Sequence, residues 1–130
     1  MASLEESAYS ILTGHAGLSA LVGTRVEPAP RSQAGALPSI SYSRVSTLPV
    51  HTHSGAVGLR RARLQFDVWG ATALSAQAVA QELVTALDHY RGTVGGVRID
   101  AALQANDLME NDAEDATFRR ILDFQIWSNS

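Results

Sequence analysis

One alternating stretch in the middle of the chain constrains the fold more than any other feature. Residues 62–69 alternate between apolar side chains and side chains that carry a polar group, in the order Ala62, Arg63, Leu64, Gln65, Phe66, Asp67, Val68, Trp69. A period of two is the pattern of a strand with one buried face. A near copy follows at residues 122–127, which read Leu, Asp, Phe, Gln, Ile, Trp. We predict that both segments are strands of one sheet and share a packed Phe/Leu face.

Composition favours one soluble globular domain over residues 1–130. The chain has 130 residues and 45% hydrophobic content, enough for a sizeable core. It has no cysteine, which excludes a disulfide framework and a thiolate metal site. Its first residues are acidic, unlike a signal peptide, and no apolar run approaches the roughly 20 residues of a membrane helix. The net charge of −3 disfavours general binding to a phosphate backbone. We therefore expect an intracellular protein without a membrane partner.

Two segments have helical spacing. Residues 3–13 predict a short helix with Ser3 as its N-cap and Glu6 completing a capping box. Residues 73–90 predict a long helix with Thr72 as its cap and Gly92 as its stop. Its apolar positions recur every three or four residues, at Ala76, Val79, Ala80, Leu83, Leu87 and Tyr90. Such a stripe is typical of a helix that packs on a sheet.

The remaining segments predict further strands and so a fold class. Residues 25–27 form a brief strand before a loop at 28–35, another strand starts at Pro38, and residues 97–103 alternate as a third. With the strand from Phe118, the order predicts an α+β fold. We expect a mixed or mostly antiparallel sheet, covered on one face by the long helix and the short N-terminal helix.

Two connections are candidates for interaction. Residues 46–58 contain Pro49, His51, His53 and two glycines, and we predict a long loop that serves as an interaction arm. Residues 106–116 carry five acidic residues and predict an acidic connection between the last two strands. These are Asp107, Glu110, Asp112, Glu114 and Asp115. Their offsets do not match a calcium loop. The acidic segment is either a solvated connection or a contact for a partner's arginines.

His51 and His53 have the only spacing that suggests a metal site. On a strand, a His-x-His pair places both rings on one face. A third ligand and an orienting carboxylate are also required, and none lies nearby in sequence. A solvated loop or a subunit contact therefore explains the pair better, and we predict no bound metal or other cofactor.

The other candidate residues lie at the start of the central strand and on the polar sides of the two similar strands. Arg60, Arg61 and Arg63 either pair within the chain, for example with Asp123 across the sheet, or contact another subunit. Trp69 and Trp127 lie on the same polar side and are either interface anchors or covers for the end of the core. No nucleophile elbow, phosphate loop, dinucleotide fingerprint or zincin helix is present. An enzyme is therefore not expected.

Taken together, the order and spacing of these segments resemble a known family. The segments that carry the resemblance are residues 4–12, 20–26 (Ala-Leu-Val-Gly-Thr-Arg-Val), 37–42, 58–59, 61–70 (Arg-Ala-Arg-Leu-Gln-Phe-Asp-Val-Trp-Gly), 76–87, 91–97 and 123–127. They cover nearly the whole chain. The chain resembles the small tail-terminator proteins, also called tail-completion or tail-to-head joining proteins, of long-tailed bacteriophages, prophages and gene transfer agents.

This resemblance implies a structural virion protein. It implies a homo-oligomeric ring, usually a hexamer, that caps the tail tube, stops its polymerisation and joins the tail to the neck or stopper protein of the head. DNA passes through the hole without specific binding. The protein would assemble in the bacterial host cytoplasm and reside in the tail or neck. The alternatives are another neck or minor tail component, or a metal- or small-ligand-binding protein that uses His51 and His53.

Overall fold

The computed structural model describes residues 3–30, 36–52, 55–112 and 117–130. Within these residues the chain forms three helices and one six-stranded sheet. In chain order the elements are α1 (Leu4–Gly14), α2 (Ala16–Val22), β1 (Val26–Pro28), β2 (Ser39–Thr52), β3 (Gly55–Gly70), α3 (Ala73–Leu87), β4 (Gly92–Val94), β5 (Val97–Asp112) and β6 (Thr117–Ser128). The spatial order of the strands is β1-β2-β3-β6-β5-β4.

The sheet is mixed but mostly antiparallel, which confirms the predicted fold class. Only the edge strand β1 runs parallel to its neighbour β2, and the other pairs are antiparallel. Two long hairpins, β2–β3 and β5–β6, make up most of the sheet. They join along the pairing of β3 with β6. None of the described helices is long and apolar enough to span a membrane.

The two similar strands pair directly with each other at the centre of this sheet. Leu64 lies opposite Phe124, and Phe66 lies opposite Leu122. The rings of Phe66 and Phe124 contact edge to face, with centroids 5.7 Å apart. Such a geometry is favourable for aromatic pairs. The predicted shared Phe/Leu face is therefore confirmed.

All three helices bury their apolar side chains against this face. The buried positions of α3 are the predicted ones, at Ala76, Val79, Ala80, Leu83 and Leu87. Helix α1 contributes Leu4, Ala8 and Leu12 to the same core, and α2 contributes Leu18 and Val22. No described helix covers the opposite face, which we call the open face. It displays the odd-numbered residues of β3 and of β6.

The predicted helix caps are present. Ser3 Oγ accepts a hydrogen bond from the Glu6 amide at 3.2 Å, and Thr72 Oγ1 accepts one from the Ser75 amide at 3.0 Å. Helix α3 ends at Leu87, earlier than the predicted Tyr90. Asp88 leaves the helical conformation and accepts a hydrogen bond from the Gln104 amide of β5 at 2.9 Å. This tertiary contact ends the helix before its apolar pattern ends.

Gly70 allows the close junction between β3 and α3. A Cβ at this position would lie 2.7 Å from the Ala76 backbone nitrogen, closer than real Cβ contacts allow. A glycine is therefore required where the strand turns directly under the first turn of the helix.

Two predicted loops are wrong over the residues that the structure describes, which form strands instead; residues 53–54 and 113–116 of these loops lie outside the described residues. Residues 46–52 continue β2 and residues 55–58 belong to β3, as a two-stranded ribbon. Pro49 is tolerated because β1 pairs only with residues 40–42, which leaves this part of β2 at the edge of the sheet. Residues 106–112 likewise continue β5 and pair with β6. Their low strand propensity is overridden because tertiary pairing outweighs local preference.

Candidate functional site

The two hairpins place the sequence-predicted residues at opposite ends of the sheet. β3 pairs with β6 only as far as Arg60, which lies opposite Ser128, so residues 55–59 extend past the end of β6. We call residues 50–52 and 55–59 the arm. At roughly 3.4 Å per residue, its five β3 residues project about 17 Å. The acidic residues of β5 lie beside the other end of β6, where Asp112 is opposite Thr117.

An ion-pair network covers the middle of the open face. Arg63 Nη2 donates to Asp123 Oδ2 at 2.8 Å, which is the cross-strand pairing expected for this arginine. The Asp123 side chain is 5% exposed, whereas that of Arg63 is 47% exposed. The second oxygen, Asp123 Oδ1, is buried without a hydrogen-bond partner in the described structure. Arg63 therefore compensates the charge of a carboxylate that the sheet almost completely encloses.

A second cluster on this face is centred on Arg119. Its Nη2 donates to Asp67 Oδ2 at 3.1 Å, and its Nη1 donates to Glu110 Oε2 at 3.2 Å. The guanidinium also lies over the Trp69 ring, 5.1 Å from the centroid. Such a position is favourable because the face of an indole ring attracts a cation. Arg119 therefore links β3, β5 and β6.

The two tryptophans have different environments. Trp69 donates from Nε1 to Ser41 Oγ at 3.1 Å and lies beneath Arg119, so it is integrated into the polar network. Trp127 is half-buried and lies opposite Arg61 of β3 and Ala101 of β5. Of the two, Trp127 is closer to the base of the arm. The role of each as an interface anchor stays a prediction.

Arg60 and Arg61 differ from Arg63. Both are exposed, and neither has an ion pair among the described residues. They lie where β3 leaves the sheet, next to the arm. His51 belongs to the β2 strand of the arm, opposite Ala56, and His53 lies outside the described residues. The described part of the chain holds no group of three or more histidines, aspartates or glutamates arranged to bind a metal.

Two of the five acidic candidates are paired within the chain. Asp107 accepts from Arg120 Nε at 2.9 Å, and Glu110 accepts from Arg119. The hydrogen bond with Asp107 raises the pKa of Arg120 above its ordinary value. Asp112 is the last residue of β5, and Glu114 and Asp115 lie outside the described residues.

Sequence analysis did not single out Arg119 and Arg120. The available signal was their place in the last strand, just after the acidic segment, because a hairpin brings such residues opposite each other. It also missed several apolar side chains on the strands that are at least 39% exposed. These are Val45, Leu48, Leu103, Leu108 and Met109. Leu103, Leu108 and Leu48 lie opposite open-face residues Gln125, Ile121 and Arg61.

Comparison with solved structures supports this fold. A chain from a structure described as "Virion of native gene transfer agent (GTA) particle" aligns with a TM-score of 0.80 and 22% sequence identity. The alignment covers 97% of this chain and 94% of that chain. Comparison with curated protein sequences found no match.

A family comparison covers almost the same extent of the chain. The profile of the family described as Tail completion protein gp17 matches residues 7–129. This range includes all three helices at least in part, the six strands, the ion-pair network and the arm. The chain therefore belongs to the tail completion protein gp17 family, a family of structural proteins of the phage tail.

Proposed function

We propose that this protein is a tail terminator. Copies of the chain form a homo-oligomeric ring, a hexamer, on the last ring of the tail tube and stop its polymerisation. The ring then joins the tail to the neck or stopper protein of the head, and DNA passes through its hole. The observation that carries the proposal is the tail completion family match over residues 7–129.

Features of the fold support a role in assembly rather than in catalysis. The described residues share one sheet and one core, which supports our proposal that residues 1–130 form a single domain. Outside this core lie an open sheet face and a projecting arm, and both present area for protein contacts. We propose a structural role without an active site, and assembly in the host cytoplasm before the protein joins the virion.

The negative net charge supports passage of DNA without binding. Each chain has a net charge of −3, so six copies carry about −18. We propose that part of the acidic segment, which comprises Asp107, Glu110, Asp112, Glu114 and Asp115, faces the hole or the tube. Asp107 and Glu110 are already neutralised by arginines of β6.

The test is the molar mass of the purified protein, measured by light scattering with and without tail-tube protein. A hexamer has roughly 83 kDa, which is six times the chain mass of 13.8 kDa. We expect the protein to have this mass either when free in solution or when bound at the ends of tubes. Tube length, measured by electron microscopy, should stop increasing after the protein is added. A stable monomer that never binds the tube would contradict the proposal and favour another neck or minor tail role.

A further inference from the structure

The strand β5 has an edge that is open for pairing along residues 106–112. On one side these residues pair with β6 without interruption, from Asn106 opposite Asp123 to Asp112 opposite Thr117. On the other side, β4 pairs only with residues 97–99. The α3–β4 connection occupies the next positions, where the His89 amide donates to the Ala102 carbonyl and Asp88 accepts from the Gln104 amide. No described element pairs with the edge beyond Gln104.

These contacts also show which backbone groups point outward. Ala102 and Gln104 lie opposite Ile126 and Phe124, and both direct backbone groups away from β6. In an antiparallel ladder the direction alternates with each residue. The register shift between Gln104 and Asn106 lies in β5, whereas β6 continues without a bulge. After this shift, the β5 residues that direct backbone groups outward are therefore still those opposite even-numbered residues of β6. They are Asp107, Met109 and Asn111. The Asp107 amide already donates to Asn106 Oδ1 at 2.9 Å, so the outward amides left for a further strand are those of Met109 and Asn111.

Apart from its three acidic residues, this edge has little of the usual protection of an edge strand. Residues 106–112 contain neither proline nor lysine, and the ladder there has no bulge. The carboxylates of Asp107 and Glu110 are held by Arg120 and Arg119 of β6 and so point back over the sheet. The opposite edge differs, because β2 has irregularities at Val45 and Val50 and contains Pro49. Of these two edges along the described strands, the β5 edge is the better suited to strand addition.

Charge selects the kind of strand that fits this edge. Residues 106–112 carry three acids, of which Asp107 and Glu110 are paired with Arg120 and Arg119. Two β5 edges from two copies would therefore still bring net negative charge together, which disfavours a symmetric pair. A strand without acids fits better. The chain itself contains one, because the arm carries no acid and is followed directly by the exposed Arg60 and Arg61, neither of which has an ion pair among the described residues.

We infer that the arm of one copy adds as a strand to the β5 edge of the next copy. The arm and the edge lie at opposite ends of the sheet, so each copy both gives and receives one contact. Such a head-to-tail contact closes into a ring when the rotation between copies is right. Backbone pairing supplies the affinity, and Arg60 and Arg61 approach the acidic segment. The inference rests on the proposed ring and names its interface.

The first test is a proline at an outward position. Met109→Pro removes an outward amide while keeping the ladder with β6, and prolines are tolerated at such edge positions. We expect native stability with association weakened up to about tenfold for the lost inter-strand hydrogen bond. Met109→Val is the matched control, because it keeps the amide and a strand-forming side chain. Equal association of folded Met109→Pro and Met109→Val variants would overturn the inference.

The second test uses the absence of cysteine from the chain. Met109→Cys on the edge is mixed with Thr52→Cys in the arm, with and without tail-tube protein, and treated with a short bis-maleimide. We expect cross-linked dimers that contain one edge and one arm variant. Leu74→Cys on α3, where Leu74 is 78% exposed, serves as the control and should not cross-link to Met109→Cys.

The possible outcomes distinguish a failure of the arm–edge interface from a failure of the proposed ring. The molar mass of each sample is measured before cross-linking. A ring of normal mass without the arm–edge product would overturn this inference and leave the proposed ring intact. If no assembly forms either with or without tail-tube protein, and the arm–edge product is also missing, both the inference and the proposed ring would be overturned. Met109→Cys homodimers without the mixed product would indicate the symmetric pairing and also contradict the inference.

Discussion

The two long hairpins of this protein share one hydrophobic face but hold their charges differently. In β5–β6, Asp107 and Glu110 are paired with arginines of the neighbouring strand. In β2–β3, Arg63 is paired across the sheet, whereas Arg60 and Arg61 have no ion pair among the described residues. The first hairpin is therefore largely neutralised along its paired strands, and the second carries free positive charge where it leaves the sheet.

The reason for the difference is the extent of each ladder. β6 has a partner on both sides along most of its length, so its charged residues find opposite charges within the same chain. Arg60 and Arg61 lie opposite Ser128 and Trp127 at the very end of β6 and opposite Pro49 and Leu48 of β2, and none of these residues is an acid. Charges that a monomer leaves unpaired are available for a partner, and charges that it pairs mainly support the fold. This distinction can be tested residue by residue.

The largest expected effect is in the core that both hairpins share. Phe66→Ala or Phe124→Ala should lower the free energy of unfolding by about 3–5 kcal/mol, because each removes a fully buried ring and leaves a cavity. Urea unfolding followed by circular dichroism measures this loss. Leu108→Ala, at a position that is 51% exposed, is the control and should change stability by about 0.5 kcal/mol or less. Similar losses for the core and control variants would contradict the shared core.

Arg63 and Arg61 form a matched pair on one face of β3. Arg63→Met should lower the free energy of unfolding by about 1–3 kcal/mol, because it leaves the buried carboxylate of Asp123 without its cation. Arg61→Met should change it by about 0.5 kcal/mol or less. The double variant Arg63→Met/Asp123→Leu should recover part of the loss, since no unpaired charge remains. If Arg61 mattered as much as Arg63, the distinction between paired and free arginines would be wrong.

Reversing the free arginines should affect assembly rather than folding. Arg60→Glu/Arg61→Glu should leave thermal unfolding nearly unchanged and weaken ring formation about tenfold or more, equivalent to ~1.4 kcal/mol or more. The physical reason is that both new carboxylates would meet the acidic segment of a neighbour. Sedimentation analysis over a concentration series measures the shift. Normal ring formation by this variant would exclude these arginines from the subunit contacts.

Small effects on stability are expected in the acidic hairpin. Asp107→Asn/Glu110→Gln should cost about 1 kcal/mol or less, because both ion pairs are partly exposed. The triple variant Asp112→Asn/Glu114→Gln/Asp115→Asn should leave the fold intact and reduce tail joining or DNA passage. Yield of DNA-transferring particles measures this reduction. An undiminished yield from the triple variant would show that these acids do not act at the hole or the tube.

Much of the sheet could be predicted from the sequence because the alternation of apolar and polar residues directly reflects the burial of one face. The alternation in residues 62–69 and its copy at 122–127 fix which side chains face the helices, and Phe66 and Phe124 lie where the pattern places them. Ser3 and Thr72 cap their helices because the signals for a helix start are local. The ends of the hairpins could not be predicted. Pro49 and the acidic residues have low strand propensity, and pairing with the other strand of the hairpin overrides it.

The sequence alone determined the elements, the buried face and the family of this protein, because periodicity, caps and segment order need no knowledge of distant contacts. Tertiary structure decided the register, and the register decided which charges are paired. Arg61 and Arg63 are equivalent in the alternating pattern, yet only Arg63 lies within reach of Asp123. Arg119 was inconspicuous in sequence, yet it contacts Asp67, Glu110 and Trp69. The physical reason is that an ion pair depends on distances of a few ångströms, which strand pairing sets and local sequence does not.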